Sequence, residues 1–273
     1  MEVKANGIRI YYELSGKRDS PWVVLSHSLA SSLRMWELQM EALESNFQVL
    51  RYDIRGHGRS EVAEGAYTFE LLAQDGIGLL DALGIEKVNW VGLSMGGMIG
   101  QCVALNYSDR LQSLVLCDTM AIFPEESLPI WQERMESVKT KGMRAQLEPT
   151  LERWFTPSFL RLHPPILDII RNEFLLTPVK GYLGCIEAIC KLNFLDRLSE
   201  IKIPTLIMVG EDDPGTPVSA SEAMQQKIPN SKLTIIPFAR HLSNVEQPKV
   251  FNTNLLKFLQ SLGPIIQRPL PLV

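Results

Sequence analysis

Residues 88 to 105 read VNWVGLSMGGMIGQCVAL: a short β-rich apolar run, then Gly92-Leu93-Ser94-Met95-Gly96, then a helical stretch. A G-x-S-x-G string arises by chance in roughly one chain in ten of this size, so its weight comes from context. Here a strand precedes it and a helix follows. A serine on so tight a strand-to-helix turn needs small residues two positions to either side, because a side chain there would clash. The turn exposes the hydroxyl at the sheet edge and sets it at a helix N-terminus, whose amides favour developing negative charge. Ser94 is therefore expected to be a nucleophile rather than an ordinary capping serine in a glycine-rich turn.

Outward from this turn, short apolar runs alternate with helical patterns, as in a largely parallel sheet covered on both faces. Residues 2–14 read as a hairpin turning near Asn6-Gly7. Buried strands are expected at Trp22–Ser26, Val49–Asp53, Lys87–Gly92, Leu111–Cys117, Thr205–Val209 and Lys232–Ile236. Helices are expected at about 35–45, 68–83, 95–107, 216–227 and 248–261. Thr68 and Glu70 open one of them and Gly84 closes it. From Met120 to Arg197 no strand is expected, and helical periodicity is broken by Pro129, Pro149, Pro157, Pro164, Pro165 and Pro178. About 75 such residues between two strands are too many for a loop. They are expected to form a helical lid at 120–197, inserted into an α/β core of 1–119 and 198–262, with a proline-rich tail at 263–273.

The bulk composition excludes several function classes. Of 273 residues 45% are hydrophobic and 21% charged, which fits a globular protein rather than a disordered chain, a coiled coil or a small disulfide scaffold. The net charge of −4 gives no global positive field for nucleic acid. Cys102, Cys117, Cys185 and Cys190 include no C-x-x-C pair and no histidine at zinc-ligand spacing, so they read as reduced, mostly buried thiols and no metal is expected. The stretch from Val88 to Leu105 is too polar for a membrane span. MEVKANGIRIYYE carries no signal-peptide pattern, and a cytoplasmic location is expected.

A serine hydroxyl needs a base. His241 follows the strand KLTIIP by a short loop and precedes the last helix, which puts it at the same sheet edge as Ser94. His27 and His57 lie in loops after earlier strands and His163 beside prolines, so His241 is the expected base. The base needs a carboxylate to fix its tautomer, and Glu211, Asp212 and Asp213 all follow the strand PTLIMVG. An oxyanion hole needs two amide donors. Met95, after the nucleophile, is expected to give one and Leu29, in the loop His27-Ser28-Leu29-Ala30, the other.

HSLA (27–30), RYDIRGHGRS (51–60), GLSMGG (92–97), GEDDPGTP (210–217) and HLSNVEQP (241–248) make residues 7–262 resemble the α/β-hydrolase superfamily. The order Ser…Asp…His fits that superfamily. The resemblance implies an eight-stranded, mostly parallel sheet with helices on both faces and a helical lid. It also implies that the acid is Asp213, the fourth residue of G-x-x-D. Within the superfamily, RYDIRGHG, GLSMGGMIGQ, RWFTPSF, GYLGCIEAI and HLSNVEQP resemble the 3-oxoadipate enol-lactonase group, from which Ala30 departs where the group often has Gly.

That likeness implies ester or lactone hydrolysis through an acyl-enzyme, on a small-molecule substrate and without a cofactor. An anionic lactone would need a cationic partner, for which Arg153 is nominated, beside Trp154. Phe123, Trp131, Trp154, Phe155 and Phe159 could instead receive an acyl or aryl group. Relatives with the same pattern include acyl-homoserine lactonases and carboxylesterases acting on pyrethroid-type esters. A haloperoxidase-like activity, a carbon–carbon bond hydrolase and a non-catalytic ligand receptor share the same framework. A haloalkane dehalogenase would need a carboxylate at position 94.

Overall fold

Three of the expected strands carry no polar alternation because both of their faces are covered. The computed structural model describes residues 1–263, and residues 264–273 of the expected tail lie outside them. The strands are β1 (Glu2–Ala5), β2 (Ile8–Gly16), β3 (Trp22–Ser26), β4 (Gln48–Tyr52), β5 (Val88–Leu93), β6 (Leu111–Cys117), β7 (Thr205–Gly210) and β8 (Ser231–Ile236). Every residue of β3, β5 and β7 is buried, whereas β8 at the sheet edge is mostly half-exposed. An edge strand has only one neighbour, and Lys232 on it discourages pairing with another chain.

The strands form one eight-stranded sheet in the order β1-β2-β4-β3-β5-β6-β7-β8. The hairpin pairs Ala5 with Ile8 around Asn6 and Gly7, both at positive φ. β2 lies antiparallel to β4, and from β4 to β8 every pairing is parallel. The chain runs from β3 out to β4 and then returns to lay β5 on the other side of β3. That reversal opens a crevice at the carboxyl ends of β3 and β5, where open parallel sheets bind their ligands.

Helices α1 (Glu37–Glu44), α2 (Phe69–Ala82) and α3 (Met95–Asn106) follow β3, β4 and β5. Thr68 caps α2 by accepting the Leu71 amide at 3.1 Å, and Gly84 at φ +67° ends it, as the sequence implies. Between β6 and β7 run α4 (Leu128–Lys141), α5 (Leu147–Trp154), α6 (Pro157–Leu162), α7 (Pro165–Leu176) and α8 (Val179–Ile189). Pro157 and Pro165 stand at the first position of α6 and α7, where the missing amide costs nothing. The chain ends with α9 (Val218–Lys227), α10 (Ser243–Glu246) and α11 (Pro248–Gln260).

Two boundaries differ from the sequence reading in a way that bears on the site. Asp53 lies outside β4, and its carboxylate accepts the amides of Leu33 at 2.8 Å and Arg59 at 2.9 Å. The turn α10, directly after His241, was not anticipated, because four residues are too few to show a period. All four cysteines are free, with Cys190 only partly buried. Among the described residues no helix is long and apolar enough to cross a membrane.

Candidate active site

The turn after β5 leaves no room for side chains beside Ser94. A Cβ on Gly92 would stand 2.1 Å from Gly96 O, and one on Gly96 would stand 2.1 Å from Ser26 O. Both lie far inside van der Waals contact, so the two glycines allow the first turn of α3 to rest against β5 and the end of β3. Ser94 itself sits at φ +54° and ψ −116°, a strained conformation for a non-glycine residue. Its amide donates to Cys117 O at 2.8 Å, and its carbonyl accepts Thr119 Oγ1 at 2.8 Å.

Ser94, His241 and Asp213 come together from the ends of β5, β8 and β7. His241 Nδ1 lies 2.8 Å from Asp213 Oδ2 and His241 Nε2 lies 2.9 Å from Ser94 Oγ. A carboxylate can only accept, so Nδ1 carries the proton and Nε2 is left to accept from the serine. Asp213 is buried and also accepts Thr216 Oγ1 at 2.6 Å and the Gly215 and Thr216 amides at 2.8 and 3.1 Å. Burial opposes its charge, but His241 and these donors outweigh burial and hold the carboxyl below its ordinary range. Burial likewise disfavours a charged His241, yet Asp213 beside it holds the imidazole above its ordinary value. Asp212 has no part in this chain, although its amide donates to Ala239 O at 2.9 Å.

Helix α10 anchors the histidine loop. Glu246 accepts the Arg240 amide at 2.9 Å and the Thr156 amide at 2.9 Å, and the Leu242 amide donates to Trp154 O at 3.2 Å. The loop is thus tied to the helices that face it.

Ser94 and His241 open into a cavity of about 220 Å³. Leu29, Ala30, Met98, Met120 and Thr216 line it from the sheet side, and Ile130, Trp131, Thr150, Arg153, Trp154, Phe174, Tyr182 and Ile189 from α4, α5, α7 and α8. Trp131, Arg153 and Trp154 are therefore at the cavity. Phe123, Phe155 and Phe159 are not among its lining residues. Phe123 packs edge-on against Trp131 at 6.2 Å, and Phe155 stacks on Phe159 at 4.8 Å. Leu29 lines the cavity and Met95 is fully buried behind it. Neither of their amides has an acceptor among the described residues.

Most of the wall escaped the sequence reading, including one charged residue. Arg134 lines the wall with Arg153, and its guanidinium lies 4.3 Å from the centre of the Trp131 ring. The Trp131–Arg134 spacing on one helix face was the available signal. Burial, with Arg134 nearby, pushes Arg153 down to about 10. Among the described residues neither arginine forms an ion pair, and Arg153 bonds only the Thr150 hydroxyl, at 2.8 Å. The cavity therefore joins an apolar wall to two guanidiniums without carboxylate partners. Among the described residues no group of three His, Cys, Asp or Glu side chains is placed to hold a metal.

Residues 21–248 match the family model for the alpha/beta hydrolase fold. The chain is 34% identical to 3-oxoadipate enol-lactonase 2 of Acinetobacter baylyi over 91% of its own length and 92% of the relative's. Among solved structures, the enol-lactonase from Burkholderia xenovorans superposes with a TM-score of 0.92 at 36% identity, covering 95% of this chain and 100% of that one. A thermophilic esterase from Thermogutta terrifontis, solved with malate bound, superposes with a TM-score of 0.90 at 32% identity, covering 96% and 99%.

Proposed function

The chain belongs to the alpha/beta hydrolase fold family, and from that premise we propose that it hydrolyses carboxylic lactones or esters through an acyl-enzyme, with an anionic lactone as the preferred substrate. The observation that carries this reading is the hydrogen-bonded run from Asp213 through His241 to Ser94, at 2.8 and 2.9 Å, opening beside Arg153 and Arg134.

In the first step His241 Nε2 takes the Ser94 proton as Ser94 Oγ bonds to the substrate carbonyl carbon. The carbonyl electron pair moves onto oxygen, where the Leu29 and Met95 amides receive it. Asp213 supports the imidazolium. Collapse of the tetrahedral centre breaks the carbon–oxygen bond, and His241 returns the proton to the leaving oxygen. In a lactone that oxygen stays tethered as the ring opens. Water then gives a proton to His241 and a hydroxyl to the acyl carbon; the bond from that carbon to Ser94 Oγ breaks, His241 returns the proton to Oγ, and a hydroxy acid is released, or a keto acid when the leaving oxygen was enolic. An enolate leaves more readily than a simple alkoxide, so an enol-lactone needs less help from His241.

Specificity on this reading comes from the lid, residues 120–197, which supplies both arginines. The similarity to enol-lactonases supports an anionic lactone, and an esterase of the same fold holding malate supports a pocket for carboxylates. A second reading, a carboxylesterase for hydrophobic esters, is favoured by the apolar wall of Met98, Met120, Ile130, Trp131, Trp154 and Phe174. A hydrolysis panel separates the two. It comprises an enol-lactone carrying a carboxylate, acyl-homoserine lactones, and short and long p-nitrophenyl esters. Selectivity for the anionic lactone supports the first reading and preference for long acyl chains overturns it. Ser94→Ala is expected to lower turnover by at least about a thousandfold, and near-full activity in that variant would exclude Ser94 as the nucleophile.

A further inference from the structure

Two histidines outside the Ser94–His241–Asp213 run are fully buried side by side, with ring centroids 5.4 Å apart. All four of their ring nitrogens are engaged with backbone. His27 Nδ1 lies 2.7 Å from Ser28 O. A carbonyl only accepts, so Nδ1–H donates and Nε2 accepts the Ile54 amide at 2.9 Å. His57 is arranged in the same sense: Nε2 accepts the Ala30 amide at 3.0 Å and Nδ1–H donates to Arg55 O at 3.2 Å. Each ring must offer one donor and one acceptor, which only the neutral imidazole does. Burial, with His57 adding to it, lowers His27 to about 3, and burial lowers His57 to about 4.

These contacts bracket Leu29. The Ser28 carbonyl and the Leu29 N–H belong to one peptide unit, and no peptide among the described residues is cis. The two groups therefore point in opposite directions. By holding the carbonyl, His27 turns the Leu29 N–H the other way, and Leu29 is a wall residue of the cavity that holds Ser94. His57 holds the following peptide by its N–H, which turns the Leu29 carbonyl away from His57. The segment needs such restraint because Ala30 stands at φ +56°, and relaxing it would rotate the peptides on either side.

We propose that His27 and His57 are positioning residues that lock the Leu29 peptide with its N–H presented to the oxyanion, acting through the backbone without touching substrate. The inference rests on the reading of Ser94 as nucleophile and Leu29 as oxyanion donor. It adds a role for His27 of HSLA and His57 of RGHG, two histidines that reading leaves without one.

The test compares His57→Leu, which removes the acceptor for the Ala30 amide, with His57→Gln, whose side-chain oxygen keeps one. The readouts are kcat and KM on an ester the enzyme turns over, and the Kd of a boronic acid whose tetrahedral adduct on Ser94 places an oxygen in the hole. His57→Leu is expected to lower kcat ten- to hundredfold with KM within about twofold, and to weaken the boronate by a similar factor, as for a misplaced oxyanion donor. His57→Gln is expected to recover most of that loss. Should His57→Leu fail to fold, His27→Asn against His27→Leu repeats the comparison at the other peptide, since Asn keeps a donor for the Ser28 carbonyl. Equal losses in the Gln and Leu variants, or in the Asn and Leu variants, would overturn the proposal, as would a loss confined to KM. Fluorophosphonate labelling keeps the two readings apart. Failure to label the wild type at Ser94 overturns the nucleophile, whereas normal labelling with unchanged kcat in His57→Leu overturns the clamp alone.

Discussion

Asp118 Oδ2 and Ser243 Oγ lie 2.6 Å apart in the fully buried region behind the site, joining the end of β6 to the segment that follows His241. The other carboxyl oxygen, Oδ1, accepts the Gly210 amide at 2.7 Å, three residues before Asp213. One side chain thus ties the loop of Asp213 to the loop of His241. Burial first, and then the negative charge of Asp213, push the Asp118 carboxyl well above its ordinary range. A carboxamide is nearly isosteric with a carboxyl and can still accept the Gly210 amide while its NH2 donates to Ser243 Oγ. Asp118→Asn is therefore expected to keep kcat/KM within about fivefold. Asp118→Ala strands two buried partners and is expected to cost about 2–5 kcal/mol of stability. Urea denaturation and steady-state kinetics on both variants check this, and an Asn variant as damaged as Ala would show that a carboxamide cannot replace the carboxyl in this bridge.

The pH profile follows from the pair His241–Asp213. Only neutral His241 can accept the serine proton, and Asp213 holds its pKa above the ordinary 6.5. Hydrolysis is expected to rise with pH through a midpoint above 6.5. Asp213→Asn removes the charge that raises it, so the midpoint should fall while turnover drops by about a thousandfold or more, since the imidazole loses its tautomer. The linkage to stability has the opposite sign. A folded-state value above the unfolded one stabilises the fold below pH 6.5, and that stabilisation is lost as pH rises through the folded value. A kcat/KM profile whose midpoint does not move in Asp213→Asn would count against the pairing.

On the proposed reading, Arg153 and Arg134 receive the negative charge of the substrate. A charge-assisted hydrogen bond contributes about 1.5–3 kcal/mol, so Arg153→Leu is expected to raise KM for a carboxylate-bearing lactone about ten- to hundredfold. For a neutral ester of similar size KM should change less than about threefold. Parallel titration of the two substrates with Arg153→Leu and Arg134→Leu decides the matter. Equal effects on both substrates would leave the arginines as packing for the wall.

Backbone strain separates two small residues of the site. Ala30 stands at φ +56°, where glycine is at ease and alanine is not. Ala30→Gly is expected to leave stability unchanged or raise it by up to about 1 kcal/mol, because relief of strain offsets the greater freedom of the unfolded chain. Gly96→Ala does the reverse: its Cβ would meet Ser26 O at 2.1 Å. Since the nearest atom is backbone, that variant is expected to unfold at markedly lower denaturant and to lose activity with it. Denaturation midpoints of the two variants make the comparison.

Legibility followed the range of the constraint. The alternation of apolar runs and helical patterns located β3, β5, β6 and β7 to within a residue or so, because burial on both faces writes itself into consecutive positions. Thr68 and Gly84 marked the ends of α2 through local backbone chemistry. Ser94 and its glycines were readable because the clash they avoid is between residues two positions apart, and the two amides nominated with Ser94 lie next to recognisable turns. Asp53 was misplaced at the end of β4 because its reason for being there is the Leu33 amide, twenty residues away. Arg134 passed unnoticed because an arginine on an amphipathic helix reads as solvent-facing until the opposite wall of the cavity is known.

The sequence by itself determined the parallel sheet, the inserted helices and the serine turn, since each is set by patterning within a strand, a helix or a single turn. Only the tertiary structure decided that Arg153 has Arg134 as a neighbour and, among the described residues, no carboxylate partner, that Asp118 joins the loops of Asp213 and His241, and that His27 and His57 grip the peptides around Leu29. Those relations join segments up to 125 residues apart, as from Asp118 to Ser243, and exist only where the sheet brings strand ends together. No local period encodes which buried polar group will meet which, because that choice is made by packing.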